Sequence, residues 1–135
     1  RGDINEMVQN IDYAPTFLEL AGAPIPSDIQ GVSLVPLLKG QHPKNWRKSV
    51  YYHYYEYPAE HSVRRHYGVR GERYKLMHFY NDNDAWELYD LKNDPTEMHN
   101  LYGNPKMKQV TKEMKKELLR LQKQYDDSIR FQQKL

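Results

Sequence analysis

Apolar residues recur at helical spacing through the last part of the chain. Pro105 suits a first helical turn, where no amide donor is needed. After it, successive apolar positions are three or four residues apart, which is the period of an amphipathic helix. The pattern predicts one long helix over residues 105–129 with a single buried stripe. The stripe consists of Met107, Val110, Met114, Leu118, Leu121, Tyr125 and Ile129.

The middle of the chain has the residue types and the alternation of β-strands. Residues 50–55 are rich in tyrosine, a strong strand former. Two further runs flank a tight turn at Gly71 and Glu72, and a last run ends before the turn at residues 93–95. The predicted strands cover residues 50–55, 66–70, 73–80 and 86–90. In the third of them Tyr74, Leu76, His78 and Tyr80 share one face.

The first 40 residues predict short helices joined by Pro-rich loops. Apolar positions between residues 4 and 11 have helical spacing, although this stretch is short enough to be a strand instead. Asp12 can cap a helix that ends at Gly22, and Ser33 can cap a second one that ends at Gly40. Residues 41–48 form a basic, polar linker, which we interpret as a domain boundary. The expected fold class is α+β: a small antiparallel sheet of about four strands packed on a long C-terminal helix within residues 41–135, preceded by the helices of residues 1–40.

Composition and charge exclude several classes of function and of binding site. The 20 basic and 18 acidic residues give a net charge of +2, which excludes a polyanion-binding tail as the main function. No apolar run approaches the length of a membrane span. The chain has no cysteine, which excludes disulfides, zinc–thiolate sites and thiol catalysis within it. It begins with Arg1 and has no signal peptide, so we expect it to be part of a longer protein.

Two clusters in the strand region have candidate binding chemistry. Tyrosines can stack on sugar rings or bases, or they can simply occupy both faces of a strand. Cationic side chains beside a loop can bind a sulfate or a carboxylate, or they can be a solvated basic loop. The tyrosines are Tyr51, Tyr52, Tyr54, Tyr55 and Tyr57, and the cationic or switchable residues are His53, His61, Arg64, Arg65, His66 and Arg70.

Other charged groups favour structural roles. The terminal helix is basic, and a solvated outer face explains this more simply than a nucleic-acid or membrane surface. Asp82, Asp84, Asp90 and Asp94 lack the spacing of a calcium loop and are typical of turns. No nucleophile elbow, phosphate-binding loop or paired-His metal motif is present.

Two segments of the chain have distinctive residue patterns. Residues 12–22 and 31–38 fit D-x-x-P-T-x-L-x-x-A-G followed by G-x-S-L-x-P-L-L. Residues 73–76, 87–97 and 100–101 fit R-Y-K-L, E-L-Y-D-L-x-x-D-P-x-E and N-L. Both patterns resemble those of the sulfatases, sulfuric ester hydrolases of the alkaline-phosphatase-like superfamily. The resemblance implies that residues 1–40 are the C-terminal end of an α/β catalytic domain and that residues 41–135 are the sulfatase C-terminal subdomain.

The resemblance also implies which parts of a sulfatase this chain lacks. The family nucleophile is a formylglycine made from Cys or Ser in a C/S-x-P-S-R motif, and no such motif occurs here. We therefore assign no catalytic residue and no metal ligand to this chain. Calcium and formylglycine are expected in the missing catalytic domain.

Residues 54–70 are similar to the branch of the family that acts on N-acetylglucosamine-6-sulfate in heparan-type or keratan-type glycans. The resemblance implies that this region lines a substrate pocket. The expected substrate-binding residues are His53, His61, Arg65 and His66 as donors and Tyr57 as a stacking ring. The expected partners are the rest of the catalytic domain and a sulfated saccharide, with self-association through exposed residues 1–40, but neither nucleic acid nor a membrane. A free-standing carbohydrate- or nucleic-acid-binding module and a purely structural cap are the alternatives.

Overall fold

The computed structural model describes residues 3–81 and 84–127. The chain divides into two compact units, residues 1–50 and 51–135. This division falls beyond the predicted linker, because Trp46 and Arg47 of that linker bond to residues of the first unit. The helices are a 3-10 helix Asn10–Asp12, α1 Tyr13–Leu20, α2 Val35–Leu38, a 3-10 helix Pro105–Met107 and α3 Lys108–Gln124. The strands are β1 Ser49–Tyr54, β2 His66–Gly71, β3 Tyr74–Phe79 and β4 Ala85–Asp90.

The first unit is organised around the buried carboxylate of Asp12. Its two oxygens accept hydrogen bonds from the backbone N–H of Gln9 at 2.7 Å, from the backbone N–H of Val32 at 2.9 Å, and from both terminal nitrogens of Arg47, Nη2 at 2.7 Å. Burial alone would raise the pKa of Asp12, but the hydrogen bonds from Arg47, Val32 and Gln9 outweigh it, so this pKa lies below its usual value. One side chain thereby joins three segments that are distant in sequence.

The first sulfatase-like pattern is explained by these contacts. Thr16 Oγ1 accepts a 2.8 Å hydrogen bond from the Leu34 backbone N–H and donates to the Asp12 carbonyl. Ser33 Oγ accepts from the Val35 N–H at the start of α2, although the residue in the N-cap position is Leu34 and not the predicted Ser33. A Cβ atom at Gly31 would lie 2.0 Å from the carbonyl oxygen of Ile11, so only glycine allows this approach. The pattern residues therefore build the fold of this unit.

Two predictions for the first unit are wrong. Residues 4–9 are not helical, because the Gln9 N–H bonds to the Asp12 carboxylate and the Met7 carbonyl accepts from Trp46 Nε1 at 2.8 Å. Asp12 precedes α1, but its carboxylate makes no cap hydrogen bond to that helix. It serves the preceding 3-10 helix and Arg47 instead. Gly22 does follow the helix, with the positive φ of 67° expected of a helix stop.

The second unit is a four-stranded sheet with the order β1-β2-β3-β4. β3 pairs antiparallel with β2 and with β4, and Val69, Leu76 and Leu88 lie side by side in the register. These three residues are fully buried and form the middle of the core. The expected α+β fold, a four-stranded antiparallel sheet with a terminal helix and preceding helices, is confirmed.

Helix α3 packs across β2 and β3. Leu118 and Leu121 are buried against the sheet as predicted, whereas Met107, Val110 and Met114 are half-buried at the edge of the core. The face that α3 covers also carries Tyr51, Tyr67 and Tyr80, together with Tyr74 and Trp86. No helix among residues 3–81 and 84–127 is long and apolar enough to cross a membrane.

The predicted end of the long helix needs correction. α3 ends at Gln124, and Asp126 adopts a left-handed backbone with φ 50°. The Asp126 N–H bonds to the Lys123 carbonyl and the Asp127 N–H to the Gln122 carbonyl, which is the hydrogen-bond pattern of a Schellman cap. Ile129 lies outside the described residues.

The second sulfatase-like pattern joins the turn before β3 to the end of β4, and the loop after β4 to that strand. The Arg73 guanidinium donates two hydrogen bonds to the Asp90 carboxylate, from Nε at 3.0 Å and from Nη2 at 2.8 Å. These bonds hold the pKa of Asp90 at about 2. Asn100 Oδ1 accepts from the Leu88 and Tyr102 N–H groups, which ties the loop after β4 to the strand.

Candidate functional site

Residues 55–65, which we call the recognition segment, connect β1 to β2 in the second unit. Most of the segment is exposed, including Glu56 and residues 58–63. It contains two carboxylates, Glu56 and Glu60, and three of the predicted cationic side chains. The two ends of the segment are adjacent, because the Arg65 Nε–H donates a 2.8 Å hydrogen bond to the Tyr55 carbonyl.

Arg65 is held at this junction by its backbone as well as by its side chain. Its carbonyl accepts a 3.3 Å hydrogen bond from the Tyr80 N–H, just beyond the end of β3. Its terminal guanidinium nitrogens make no hydrogen bond or ion pair among the residues that the structure describes. A guanidinium fixed through Nε presents two planar donors, which suits a carboxylate or a sulfate.

Tyr57 and His61 are the predicted site residues inside the segment. The Tyr57 ring is half-buried, and the guanidinium carbon of Arg64 lies 5.6 Å from the ring centroid. His61 is exposed. One ring with a cation against it and one exposed imidazole can make contacts with a sugar.

His66 begins β2 and lies on the sheet face opposite α3. Its ring packs against Tyr54, with centroids 5.6 Å apart and nearly parallel planes, and against Phe79 at 5.2 Å. Its Nδ1–H donates a 2.8 Å hydrogen bond to the Arg64 carbonyl, so the neutral ring has Nε2 as an acceptor. His66 is therefore placed at the end of the recognition segment by an aromatic cluster.

His53 lies on the other face of the sheet, under α3. Its Nδ1 is 2.8 Å from Asp127 Oδ2, and its Nε2 is 2.6 Å from the Tyr80 hydroxyl. Since a carboxylate only accepts, Nδ1 donates to Asp127 and Nε2 accepts from Tyr80. Burial is the largest influence on this ring and lowers the pKa of His53, which favours the neutral form. Both ring nitrogens are thus already paired within the fold.

The structure separates the predicted residues into two groups. Tyr57, His61, Arg65 and His66 lie in the segment or at its end, whereas His53 is on the α3 side with both nitrogens used. The tyrosine run is also divided, because Tyr51 is buried under α3 and Tyr52 lies on the opposite face, over Gly68. This is the arrangement expected of a strand that uses tyrosine on both faces.

Two residues that sequence reasoning missed are Tyr80 and Asp127 as partners of His53. Asp127 is 74 positions away from His53, so no local spacing indicates the contact. A second relay of the same type was also missed: the Tyr67 hydroxyl donates to His78 Nδ1 at 2.8 Å, and His78 Nε2 donates to Asp84 at 2.7 Å.

Asp90 and Asp94 accept hydrogen bonds as turn chemistry predicts, whereas Asp84 accepts from His78 instead. Asp90 accepts from the Lys92 N–H and the Asn93 side chain, and Asp94 accepts from the Met98 and His99 N–H groups. Asp82 lies outside the described residues. Within residues 3–81 and 84–127 no group of three or more His, Asp or Glu side chains could hold a metal ion.

Comparison with known proteins agrees with the motif resemblance. Residues 1–124 match the family model for the C-terminal region of N-sulphoglucosamine sulphohydrolase. An N-acetylglucosamine-6-O-sulfatase of Bacteroides thetaiotaomicron is 57% identical over 88% of this chain and 22% of its own length. A delta 4,5-hexuronate-2-O-sulfatase of the same organism is 39% identical over 76% of this chain and 21% of its own length.

A solved structure has the same fold. The structure of BT4656 in complex with its substrate D-glucosamine-2-N,6-O-disulfate superposes with a TM-score of 0.84 at 56% identity, covering 87% of this chain and 24% of that one. The chain thus spans between a fifth and a quarter of the length of these three relatives. The chain belongs to the N-sulphoglucosamine sulphohydrolase C-terminal family of the sulfatases.

Proposed function

We propose that this chain is the C-terminal part of a sulfatase that hydrolyses the 6-O-sulfate ester of a glucosamine-type sugar. Residues 1–40 are then the end of the catalytic α/β domain, and residues 41–135 are the subdomain that supports that domain and contacts the sugar. The 57% identity to an N-acetylglucosamine-6-O-sulfatase supports this substrate class.

The observation that supports the proposal is a difference between the residues of the family patterns, which make contacts within the fold, and those of the recognition segment, which are largely exposed. The pattern residues Asp12, Arg73 and Asp90 are engaged in ion pairs within the fold. The recognition segment instead places cationic and aromatic side chains at an exposed loop whose ends are fixed by hydrogen bonds. A loop that is anchored at both ends and carries donors and a ring is suited to a sugar, which needs hydrogen bonds for its hydroxyls and a flat surface for its ring.

In this proposal Arg65 and His61 donate to polar groups of the sugar, and Tyr57 packs on its ring. His66 was predicted as a donor, but its Nδ1–H is used by the Arg64 carbonyl, so in this proposal it accepts from a sugar hydroxyl through Nε2. His53 was predicted as a further donor, and its two internal hydrogen bonds favour a supporting role instead. Contacts with groups remote from the sulfate ester position the ester for reaction, so their loss reduces turnover as well as affinity.

Among residues 3–81 and 84–127 no group of three or more His, Asp or Glu side chains could hold the calcium ion that sulfatases use. The sequence also contains no Cys- or Ser-x-Pro-Ser-Arg motif from which formylglycine is made. We propose that both groups belong to another part of the whole enzyme, and we assign no chemical step to residues of this chain.

The substrate class is tested with the whole enzyme that contains this chain. We expect turnover of N-acetylglucosamine-6-sulfate to exceed that of a 2-O-sulfated unsaturated hexuronate by about a hundredfold or more. The reason is that the groups remote from the ester, which the enzyme must bind, are arranged differently around the ester in the two sugars. A preference for the 2-O-sulfated sugar, or no action on either, would contradict the proposal.

The recognition role is tested by Arg65→Ala, with Arg120→Ala as the matched control. Arg120 lies on α3, outside the region expected to line the pocket, and its guanidinium bonds to Glu117 and Gln124. We expect Arg65→Ala to lower kcat/KM for the sugar about tenfold and to change turnover of a minimal aryl sulfate much less. Equal effects of the two variants, or equal losses on both substrates, would favour the purely structural cap.

A further inference from the structure

The carboxylate of Asp127 collects three hydrogen bonds at one oxygen. Its Oδ2 accepts from the Tyr51 hydroxyl at 2.5 Å, from His53 Nδ1 at 2.8 Å and from the Tyr55 hydroxyl at 3.2 Å. Three hydrogen bonds to one carboxylate oxygen fix the position of the Asp127 side chain, because hydrogen bonds to a charged acceptor are stronger than neutral ones. Asp127 lies beyond the C-terminal end of helix α3 and is distant in sequence from every residue of the predicted site.

The cap of α3 brings this carboxylate to the sheet. The left-handed Asp126 reverses the backbone, and the Asp127 N–H bonds back to the Gln122 carbonyl at 2.9 Å. Tyr125 stacks on Tyr51 with ring centroids 6.2 Å apart, which anchors the cap over β1. These contacts thus hold the end of the helix at the position where Asp127 accepts from its three donors.

Asp127 is part of a closed ring of contacts that includes both ends of the recognition segment. Asp127 bonds to His53, and His53 bonds to the Tyr80 hydroxyl at 2.6 Å. The Tyr80 N–H bonds to the Arg65 carbonyl, and the Arg65 Nε–H bonds to the Tyr55 carbonyl. The Tyr55 hydroxyl returns to Asp127, and the Tyr55 ring lies against the His53 ring with centroids 3.5 Å apart.

This ring controls the position of Arg65 through two routes. One runs through Tyr55, whose hydroxyl is held by Asp127 while its carbonyl holds the guanidinium. The other runs through His53 and Tyr80 to the Arg65 backbone. Removal of the carboxylate leaves the buried Nδ1–H of His53 without its acceptor and breaks the bond that holds the Tyr55 hydroxyl, which favours rearrangement of β1 and of the segment that follows it.

We propose that Asp127 is a positioning residue for substrate recognition: it fixes Tyr55 and Arg65 in the geometry that contacts the sulfated sugar, without touching the substrate itself. This inference rests on the recognition role of Arg65 proposed above. It extends the functional region from the segment to the end of helix α3.

The kinetic test compares Asp127→Ala and Asp127→Asn with Asp126→Asn in the whole enzyme. Asp126 is the neighbouring exposed carboxylate, and asparagine tolerates its left-handed backbone. We expect Asp127→Ala to lower kcat/KM for the 6-sulfated sugar about tenfold, mainly through KM, with aryl sulfate turnover within about twofold of wild type. Asp127→Asn keeps one acceptor oxygen and should lose less, whereas Asp126→Asn should match wild type.

A double-mutant cycle tests whether Asp127 acts through Arg65. If it does, adding Asp127→Ala to Arg65→Ala lowers kcat/KM for the sugar by no more than about twofold beyond Arg65→Ala alone. Fully additive losses, equal losses on both substrates, or wild-type kinetics for Asp127→Ala would overturn the positioning role.

Amide hydrogen exchange separates failure of this inference from failure of the proposed function. We expect the Tyr80 amide, which bonds to the Arg65 carbonyl, to exchange faster in Asp127→Ala than in Asp126→Asn, because the ring that holds it is broken. This result stands even if Arg65→Ala leaves sugar turnover unchanged, an outcome that would refute the recognition role of Arg65 alone. Equal exchange in the two variants would show that Asp127 does not hold the segment.

Discussion

The Nε2 atom of His53 accepts a 2.6 Å hydrogen bond from the hydroxyl of Tyr80, and this requires an imidazole without a proton at Nε2. His78 stands in the same relation to Tyr67, whose hydroxyl donates to Nδ1 at 2.8 Å. In both rings the other nitrogen donates to a carboxylate. Burial lowers the pKa of each histidine, so the native fold holds both rings neutral.

The neutral histidines predict that stability falls on mild acidification. In the unfolded chain a histidine binds its proton below the usual pKa of 6.5, whereas in the fold it does so only at lower pH. The unfolded state therefore binds more protons in this window, and the free energy of unfolding decreases as the pH falls below about 6.5. Urea titrations at pH 7.5, 6.0 and 5.0 measure the slope.

Single replacements identify the histidines that cause this loss. His53→Gln and His78→Gln should each make the free energy of unfolding less dependent on pH between about 6.5 and 5. His99→Gln is the control, because its side chain is exposed. A slope that is unchanged in both relay variants would contradict the assignment.

Leu118 and Leu119 make a matched pair on α3. Leu118 is 2% exposed and lies in the core, whereas its neighbour Leu119 is 47% exposed. We expect Leu118→Ala to lower the free energy of unfolding by about 2–5 kcal/mol and Leu119→Ala to change it by less than about 0.5 kcal/mol. Chemical denaturation of the two variants provides the comparison, and similar losses would refute the stripe.

Gly31 should tolerate no side chain. A Cβ atom there would be 2.0 Å from the Ile11 carbonyl oxygen, and backbone rather than a flexible side chain would have to move. We expect Gly31→Ala to cost about 1–3 kcal/mol and to accelerate proteolysis of residues 1–50. Gly40→Ala is the comparison, because it meets open space and bears only the strain of its φ of 72°. A Gly31→Ala protein as stable as wild type would rule out the close approach.

The apolar surface of α1 predicts self-association of the chain when it is produced by itself. Phe17 is 66% exposed and Leu20 is 63% exposed, and apolar surface of this kind normally meets a partner. We expect concentration-dependent oligomers in light scattering, which Phe17→Glu and Leu20→Glu shift towards monomer. Met98→Glu, at a residue 73% exposed in the second unit, should leave them unchanged. A monomer at high concentration would contradict the prediction.

The chain produced by itself should have no sulfatase activity, with or without added calcium. It lacks the C/S-x-P-S-R nucleophile motif, so positioning and recognition alone remain. Release of sulfate from an aryl sulfate and from N-acetylglucosamine-6-sulfate is measured at high protein concentration. Turnover that follows the purified chain through a final chromatography step would disprove the assignment.

The strands and the apolar stripe of α3 could be predicted from the sequence because both depend on the spacing of apolar residues that are close together along the chain. Alternation in residues 73–80 placed Leu76 and Tyr80 on the face that α3 covers, and the spacing of three and four residues placed Leu118 in the core. The resemblance of two patterns to the sulfatases was likewise readable from the order of the residues, and the family match confirms it.

Side-chain roles that depend on distant partners could not be predicted in this way. Asp12 has the position of a helix cap, yet its carboxylate accepts hydrogen bonds from Val32 and Arg47 instead. A buried charge is stable only where several donors surround it. His53 has the composition of a binding residue, yet Asp127 and Tyr80 occupy both nitrogens. The sequence by itself determined which segments are strands, which helix face is apolar and which family the chain resembles. Only the tertiary structure decided which polar groups are consumed inside the fold, since hydrogen-bond partners are chosen by proximity in space and not along the chain.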